Sequence, residues 1–227
     1  MKLSIIIPVY NESKTILKIL DKIKKVKIPV KKEIIIVDDS SKDGTRKILK
    51  KIKSKNIKIY FHNKNLGKGS AIKTGIKNST GDLIIIQDAD LEYNPFEYGK
   101  LIKPILEKKT RVVYGSRFLN NNKKIYHRYY FGNKSLSFLT SIIYFTKITD
   151  METCYKVFDA NLIKNINFKS KRFDFEPEIT SKLLKKNIKI MEVPISYFPR
   201  RKSEGKKIRF KDGIIALFTL IKYRFVD

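Results

Sequence analysis

Short segments rich in isoleucine and valine alternate with segments of helical length along the first part of the chain. Strands that are buried on both faces have this continuous apolar composition, and the segments between them carry apolar residues at helical spacing. The alternation predicts an α/β fold, Rossmann-like, in which a mostly parallel sheet is flanked by helices. The predicted buried strands are Leu3–Val9, Glu33–Val37, Ile57–Phe61 and Leu83–Gln87.

The pattern after Asp90 is less regular, but no Pro-, Gly- or Ser-rich linker interrupts it. We therefore expect a single domain over residues 1–227, with the second half elaborating the same sheet. Helices are expected over Ile16–Ile23, from about Asp43, over Gly69–Ile76, Phe96–Leu106, Lys134–Phe145 and Pro177–Lys185, and from about Asp212, with strands at Val112–Gly115 and Ile188–Val193.

The charge balance is strongly basic, with 50 Lys and Arg against 22 Asp and Glu and a formal net charge of +28. Such a balance favours an anionic partner, which leaves nucleic acid, an anionic membrane and phosphorylated substrates open. Cys154 is the only cysteine, so no intramolecular disulfide can form, and two histidines do not complete a zinc set. The first apolar run stops at Pro8, too early for a signal peptide, and predicts a cytoplasmic protein.

Acidic residues follow the predicted parallel strands, at the edge where ligands bind in open α/β sheets. Glu12 follows the first strand, Asp39 the second, and the run Asp88-Ala89-Asp90-Leu91-Glu92 the fourth. In extended backbone the carboxylates of that run would all point to one side and offer oxygen ligands to a divalent cation. The sequence predicts a Mg²⁺ or Mn²⁺ site with Asp88, Asp90 and Glu92 as ligands and a diphosphate as the partner.

Two other phosphate-binding designs are excluded by the glycine pattern. The first strand leads into Pro8-Val9-Tyr10-Asn11-Glu12, which has no glycine to bring backbone against a dinucleotide pyrophosphate. Gly67-Lys68-Gly69-Ser70 fails as a P-loop, because Lys68 is followed by glycine and His62 stands where the first glycine belongs. Metal and basic side chains must handle phosphate instead.

Four motifs resemble, in order and spacing, the family 2 glycosyltransferases with a GT-A fold. The segments around Tyr114-Gly115-Ser116-Arg117, Asp150–Lys156, Phe175–Glu178 and Val193–Tyr197 resemble the dolichyl-phosphate mannose and glucose synthases in particular. The four family motifs are Ile6–Glu12, Ile36–Thr45, Asn65–Gly69 and Gln87–Asp90.

This resemblance implies an inverting hexosyltransferase that uses UDP-glucose or GDP-mannose and a polyprenyl or dolichyl phosphate acceptor on the cytoplasmic face of a membrane. Residues 1–118 would form the nucleotide-sugar half and 119–227 the acceptor half. Asp90 and Asp88 would be the catalytic metal–diphosphate ligands, with Glu92. Nucleotide-sugar binding would involve Pro8, Tyr10, Glu12, Asp39, Lys68 and Asp88.

An acceptor phosphate needs cationic donors, and Arg117, Arg128 and Arg200 are the candidates. Only nine of the 50 basic residues are arginines, which favours a need for the guanidinium fork at these positions. Surface salt bridges are the alternative for each. Glu178, at a predicted helix start, is a candidate sugar contact, although an acidic residue in a first helical turn also complements the helix dipole.

Two apolar segments, Ser135–Thr146 and Ile214–Phe218, are candidate helices that lie on an anionic membrane surface. The alternative is that both pack into the core. The chain has no segment long enough to span a bilayer, which leaves room for a separate membrane-anchored partner. The remaining alternatives are a soluble sugar or protein acceptor, and a basic nucleic-acid-binding protein; the acidic strand ends argue against the latter, and we expect no nucleic acid partner.

Overall fold

The computed structural model describes residues 1–120, 127–200 and 210–226, without the side chains of residues 127–129 and 210. Strands and helices alternate through the first half. The strands are β1 (Lys2–Val9), β2 (Lys31–Asp38), β3 (Ile57–Phe61), β4 (Leu83–Ile86), β5 (Val112–Ser116), β6 (Lys156–Asp159) and β7 (Ile190–Pro194). The helices are α1 (Ile16–Lys25), α2 (Thr45–Lys50), α3 (Lys68–Lys77), α4 (Tyr98–Leu106), α5 (His127–Ile143), α6 (Ala160–Lys164), α7 (Phe175–Lys185) and α8 (Phe210–Phe225), and a 3₁₀ turn spans Pro95–Glu97.

The strands of the described residues form one seven-stranded sheet in the order β3-β2-β1-β4-β6-β5-β7. β1 pairs in parallel with both β2 and β4, and β2 pairs in parallel with β3. β5 is parallel to β7, whereas β6 runs antiparallel to β4 and β5. The strand order reverses between β1 and β4, so their carboxyl ends border a crevice of the kind that holds ligands in α/β proteins.

The isoleucine-rich sequence of β1 is explained by its position in the core. Ile5, Ile6 and Ile7 are all fully buried. Because consecutive side chains of a strand point to opposite faces, both faces of β1 must be covered by helices. The close approach of α3 depends on Gly75, where a Cβ atom would lie 2.4 Å from Cγ2 of Ile6.

The predicted α/β fold in a single domain with a mostly parallel sheet is confirmed, and the four predicted strands of the first half are present. β6 and the short helix α6 that follows it were not predicted from the sequence. β6 is only four residues long and contains Lys156, which is fully buried, so its sequence lacks the apolar run that marks the other strands. The helices of the second half begin earlier than predicted, at His127, Phe175 and Phe210. No helix within the described ranges is both long and apolar enough to cross a membrane.

Glu33 fastens the amino-terminal edge of the sheet. Its carboxylate accepts hydrogen bonds from Ser4 Oγ (2.5 Å), the Thr80 backbone N–H (2.6 Å) and Thr80 Oγ1 (2.8 Å), and Lys2 Nζ lies 3.7 Å away. Burial raises the pKa of Glu33, but these hydrogen bonds and the lysine charge outweigh burial and lower it to about 2. The ionised carboxylate is therefore tied to the folded state.

We expect Glu33→Gln to lower the free energy of unfolding at neutral pH by on the order of 2 kcal/mol. A pKa that is lower in the folded than in the unfolded state contributes stability above the unfolded value, and this contribution is lost as pH falls from about 4.5 towards about 2. Urea unfolding across that range should show the gap between wild type and variant closing. Glu107→Gln, at an exposed position, is the control; a gap that is constant with pH would contradict the assignment.

Candidate functional site

Acidic side chains gather at the carboxyl ends of β1, β2 and β4, as predicted. Glu12 and Asp39 are buried at 7% and 2% exposure, and Asp88 and Asp90 follow β4. Pro8 and Tyr10 lie at the end of β1 and are partly exposed. The parallel pairing of β1 with both β2 and β4 brings these residues to one edge.

Asp39 organises the loop that precedes α3. Its Oδ1 accepts hydrogen bonds from the Leu66 N–H (2.8 Å), and its Oδ2 from the Gly67 N–H (2.7 Å). Oδ1 also contacts His62 Nδ1 at 2.8 Å. On its other side, the loop packs so closely that a Cβ at Gly67, where φ is +96°, would lie 2.3 Å from the Lys171 carbonyl oxygen. The loop is thereby held between two elements, which fixes the position of Lys68.

Lys68 connects the strand edge to α7. Its Nζ lies 3.0 Å from Asp88 Oδ1 and 3.1 Å from Glu176 Oε1. Burial lowers the pKa of Lys68, but the two carboxylates outweigh burial and raise it well above its ordinary value. The lysine therefore carries a fixed positive charge beside Asp88, next to the predicted donor site.

The Asp88–Glu92 segment does not have the extended backbone that the sequence analysis predicted. Ala89 and Asp90 lie in a turn, and Leu91 adopts a left-handed φ of 67°. A hydrogen bond from the Glu92 N–H to Asp90 Oδ1 (3.1 Å) closes this turn. The prediction that an extended backbone aligns the three carboxylates is wrong, because this turn interrupts the alternation of side chains.

Glu92 is engaged by two residues that follow β7. Tyr197 Oη donates to Glu92 Oε2 (2.5 Å), and the Arg200 backbone N–H donates to Glu92 Oε1 (2.8 Å). The guanidinium of Arg200 reaches further, with Nη2 at 3.1 Å from Asp90 Oδ2 and Nη1 at 3.2 Å from Glu12 Oε2. Arg200 thus links the ends of β1 and β4.

The pKa of the Asp90 carboxyl group indicates whether a divalent cation fits this edge of the sheet. Burial, followed by the charges of Asp88 and Glu92, raises the pKa of Asp90 to about 7, against the opposing effect of Arg200. Carboxylates that are buried close to one another are stabilised by added positive charge. The side chains of Asp88 and Asp90 are 20% and 14% exposed, so their oxygens are accessible to a ligand.

Asp88 and Asp90 therefore fit Mg²⁺ or Mn²⁺, both of which prefer oxygen ligands. Within the part of the chain that the structure describes, no group of three or more His, Cys, Asp or Glu side chains is arranged to hold a metal. The two aspartates would share the cation with oxygens from a diphosphate and water, and Glu92 would not be needed as a third protein ligand.

Arg117 occupies a buried ion pair rather than an open anion site. Its Nε and Nη2 lie 2.7 Å from the two carboxylate oxygens of Asp150, and its backbone N–H donates to Asp150 Oδ2 at 2.8 Å. The guanidinium also lies over the ring of Tyr197, 5.1 Å from its centroid. Arg117 and Arg200 thus approach the same Tyr197–Glu92 pair from different elements. The side chain of Arg128, the third predicted arginine, lies outside the described residues.

Glu178 does not have the surroundings of a sugar contact. It is fully buried, and its carboxylate accepts hydrogen bonds from the Lys169 N–H (2.9 Å), the Ser170 N–H (2.7 Å) and Ser170 Oγ. Lys182 Nζ lies 2.8 Å from Oε1. The predicted sugar contact is corrected to a structural role: Glu178 shapes the loop against which Gly67 packs.

Two carboxylates near the site, Glu152 and Glu176, were given no role by the sequence analysis. Glu176 contacts Lys68, and burial followed by the charge of Glu176 raises the pKa of Glu152 to about 8. The acidic residues of Asp150–Lys156 and Phe175–Glu178 were visible as motifs, but only the fold brings those segments together. Lys156, fully buried, donates to the carbonyl oxygens of Met151 (2.9 Å) and Thr153.

An acidic crevice at the strand-order reversal of a parallel sheet, flanked by Lys68 and Arg200, is typical of α/β enzymes that bind a metal and a diphosphate. The family described as Glycosyl transferase family 2 matches residues 4–166. The chain belongs to this family and is a glycosyltransferase.

Named relatives include dolichyl-phosphate sugar transferases. The chain is 30% identical to the dolichol-phosphate mannosyltransferase of Pyrococcus furiosus, over 91% of this chain and 59% of that protein. It is 31% identical to the UDP-N-acetylglucosamine--dolichyl-phosphate N-acetylglucosaminyltransferase of Methanococcus voltae, over 84% of this chain and 83% of that protein.

Solved structures confirm the GT-A fold. Glucosyl-3-phosphoglycerate synthase of Mycobacterium tuberculosis, in complex with Mn²⁺, UDP and glucosyl-3-phosphoglycerate, matches with a TM-score of 0.74. The alignment covers 100% of this chain and 81% of that chain, at 16% identity. The same enzyme with Mg²⁺ and UDP matches with a TM-score of 0.72. At this identity the likeness concerns the fold.

We expect Asp90→Asn to weaken Mn²⁺ binding in the presence of UDP or GDP by roughly tenfold or more, without loss of stability at neutral pH. Because a protonated carboxyl is a poor ligand, the Mn²⁺ affinity of the wild type should increase as pH rises through about 7. The variant should show a weaker dependence.

Isothermal titration calorimetry with Mn²⁺ and urea unfolding would measure the two effects. Asp21→Asn, whose side chain is 60% exposed on α1, is the control. Unchanged Mn²⁺ affinity in Asp90→Asn would remove Asp90 from the metal site.

Proposed function

We propose that this glycosyltransferase transfers a hexose from a nucleotide sugar, UDP-glucose or GDP-mannose, to a polyprenyl or dolichyl phosphate at the cytoplasmic face of a membrane. The observation that carries the proposal is a pair of accessible aspartates, Asp88 and Asp90, held between Lys68 on one side and Arg200 on the other. Such a site offers oxygen ligands for a metal–diphosphate and cations for a second phosphate. The names of the relatives support the acceptor.

The donor side uses the edge formed by β1, β2 and β4. In this proposal Pro8, Tyr10, Glu12 and Asp39 would enclose the base and ribose, and Lys68 would lie beside the diphosphate. Asp88 and Asp90 would hold Mg²⁺ or Mn²⁺, which when bound neutralises charge on the departing nucleoside diphosphate. The fixed ammonium of Lys68 adds a preorganised positive charge beside Asp88.

A phosphate acceptor does not need a catalytic base. A monophosphate ester with a second pKa near 6 is largely dianionic at neutral pH, so it can attack the anomeric carbon without losing a proton first. Direct displacement inverts the configuration at that carbon. His62 is engaged by Asp39 and by Thr74 Oγ1 at 2.9 Å, which is consistent with a structural role.

The helices α5 and α8 support attachment to a membrane surface. α5 turns small polar residues such as Ser137 and Thr140 inward, while Phe131 and Phe138 are each 64% exposed. In α8, Ala216, Leu220 and Tyr223 are buried, and the opposite face is apolar and exposed. The exposed apolar residues of α8 and its end are Ile214, Ile215, Phe218, Ile221, Phe225 and Val226.

The two helices contact each other, since Tyr144 Oη donates to the Leu220 carbonyl oxygen at 2.9 Å. Lys134, Lys222 and Arg224 lie on the same two helices. Exposed aromatic and aliphatic side chains combined with cations favour a surface-lying position on an anionic bilayer. The alternative that both helices are wholly core-packed does not agree with these exposures.

We expect Arg200→Lys to raise the KM for polyprenyl phosphate by roughly tenfold and to change the KM for the nucleotide sugar much less. Lysine keeps the charge but loses the bidentate guanidinium geometry that suits a phosphate. Steady-state kinetics of the purified protein with a panel of nucleotide sugars would measure both constants. Arg111→Lys, in an exposed ion pair with Asp159, is the matched control.

Unchanged lipid-phosphate kinetics in Arg200→Lys would argue against the acceptor assignment. Faster transfer by the wild type to a soluble sugar, a protein or phosphoglyceric acid would replace the lipid with a soluble acceptor. The structural relative is a glucosyl-3-phosphoglycerate synthase, which makes the phosphorylated compound a pertinent comparison.

We expect Phe218→Ser to reduce binding to anionic phosphatidylglycerol vesicles by roughly tenfold, because burial of one aromatic side chain stabilises association by about 1.5–3 kcal/mol. Phe218 is 69% exposed on α8, and Phe96→Ser, at a site 57% exposed near α4, is the matched control. Vesicle co-sedimentation at low and high salt would measure the loss. Equal losses in the two variants would place the membrane contact elsewhere.

A further inference from the structure

Two buried glutamate carboxyl oxygens have no hydrogen-bond partner among the residues that the structure describes. They are Oε2 of Glu176 and Oε1 of Glu152. Glu176 as a whole is only 4% exposed, and its other oxygen, Oε1, contacts Lys68 at 3.1 Å. A buried acceptor that remains unsatisfied costs about 1–3 kcal/mol, and more when it is charged, so such atoms in a folded protein call for an explanation.

The two carboxylates lie close enough to influence each other. Burial and the charge of Glu176 raise the pKa of Glu152 to about 8, and Lys156 and Arg117 oppose that shift. The fold tolerates this pair of acidic groups although nothing in the described residues satisfies the two oxygens. Buried acceptors without donors destabilise the free protein, and this arrangement is expected where a bound molecule supplies the donors.

The position of Glu176 relative to the diphosphate site narrows the identity of that molecule. Lys68 Nζ contacts both Asp88 and Glu176, so a single ammonium group separates the Glu176 carboxylate from the aspartate that is proposed to hold the metal–diphosphate. In a nucleotide sugar, the sugar is attached directly to the terminal phosphate. The base and ribose are assigned to the edge of β1 and β2, so the sugar is the part of the nucleotide sugar that we expect to extend from Asp88 past Lys68.

Hexoses carry several hydroxyl groups that donate hydrogen bonds, and carboxylate oxygens are strong acceptors. We propose that Glu176 and Glu152 bind hydroxyl groups of the hexosyl unit and select which nucleotide sugar the enzyme uses. This rests on the proposed function, because it assigns the sugar subsite of the same donor site. Buried acceptors discriminate strongly, since a sugar without the matching hydroxyl leaves them unpaired.

The neighbouring carboxylate Glu178 shows what a structural role looks like in the same helix. Its oxygens accept hydrogen bonds from the Lys169 and Ser170 backbone, and Lys182 is paired with it. Glu176, two residues earlier on α7, has one oxygen paired and the other unpaired. Glu178 therefore has a structural role in ordering the loop, whereas Glu176 keeps an oxygen that a ligand can use.

The test compares binding of nucleotide sugars with binding of the bare nucleoside diphosphates. Isothermal titration calorimetry with Mn²⁺ would use UDP, GDP, UDP-glucose, UDP-N-acetylglucosamine and GDP-mannose. For the sugar nucleotide that binds the wild type best, we expect Glu176→Gln and Glu152→Leu to raise the Kd by roughly tenfold or more. The Kd for the matching nucleoside diphosphate should stay within about twofold.

Glu33→Gln is the matched control, because it also removes a buried carboxylate but lies at the opposite end of the sheet. Glu152→Leu removes the acceptor oxygens but leaves the Lys68–Glu176 ion pair intact, so it remains informative if Glu176→Gln fails to fold. Deoxy analogues of the preferred sugar nucleotide add a second measurement. Loss of the hydroxyl that Glu176 binds should weaken binding to the wild type and have little further effect on Glu176→Gln.

Equal losses of affinity for the nucleotide sugar and the nucleoside diphosphate would overturn the inference, since they would mean that the carboxylates act through Lys68 and Asp88. Unchanged affinity in both variants would also overturn it. Tight binding of a nucleotide sugar in these cases would leave the proposed function standing. A wild type that binds no nucleotide sugar would overturn both.

Discussion

Repulsion among carboxylates is the constraint on which the site depends. The parallel pairing of β1, β2 and β4 brings Glu12, Asp39, Asp88 and Asp90 to one edge. The protein offsets part of this charge with fixed internal cations, Lys68 beside Asp88 and Arg200 beside Asp90. The pKa of Asp90 still lies well above its ordinary range, because burial and the charges of Asp88 and Glu92 outweigh Arg200. A divalent cation would offset the remaining negative charge and hold the diphosphate.

The same carboxylates also organise the surrounding backbone. Asp39 holds the loop before α3, Glu178 holds the loop against which Gly67 packs, and Glu92 anchors the segment that delivers Arg200. Preorganised charge of this kind acts without the cost of reorienting groups during the reaction. Acidic residues therefore serve two purposes here, since they order the backbone and also border the proposed donor site.

The fold and the acceptor are separate questions in this family. The structures of glucosyl-3-phosphoglycerate synthase share the GT-A fold with TM-scores of 0.71–0.74 at 16–17% identity. The name of that enzyme describes glucosyl transfer to a soluble phosphorylated compound. Fold alone does not decide an acceptor. In this chain the exposed apolar side chains of α5 and α8 are the features on which the proposed membrane attachment rests.

The sequence by itself determined the α/β class, the strands of the first half, the acidic edge and the family, because these depend on local periodicity and on motifs that are contiguous in the chain. Tertiary structure alone decided the use of each carboxylate. The left-handed φ of Leu91 turned Glu92 towards Tyr197, and packing of α7 made Glu178 structural while leaving Glu176 beside Lys68. Strand β6 was also hidden, since the buried Lys156 interrupts its apolar pattern and its burial depends on pairing with β4 and β5. Contacts between distant segments set these outcomes, and no local pattern records them.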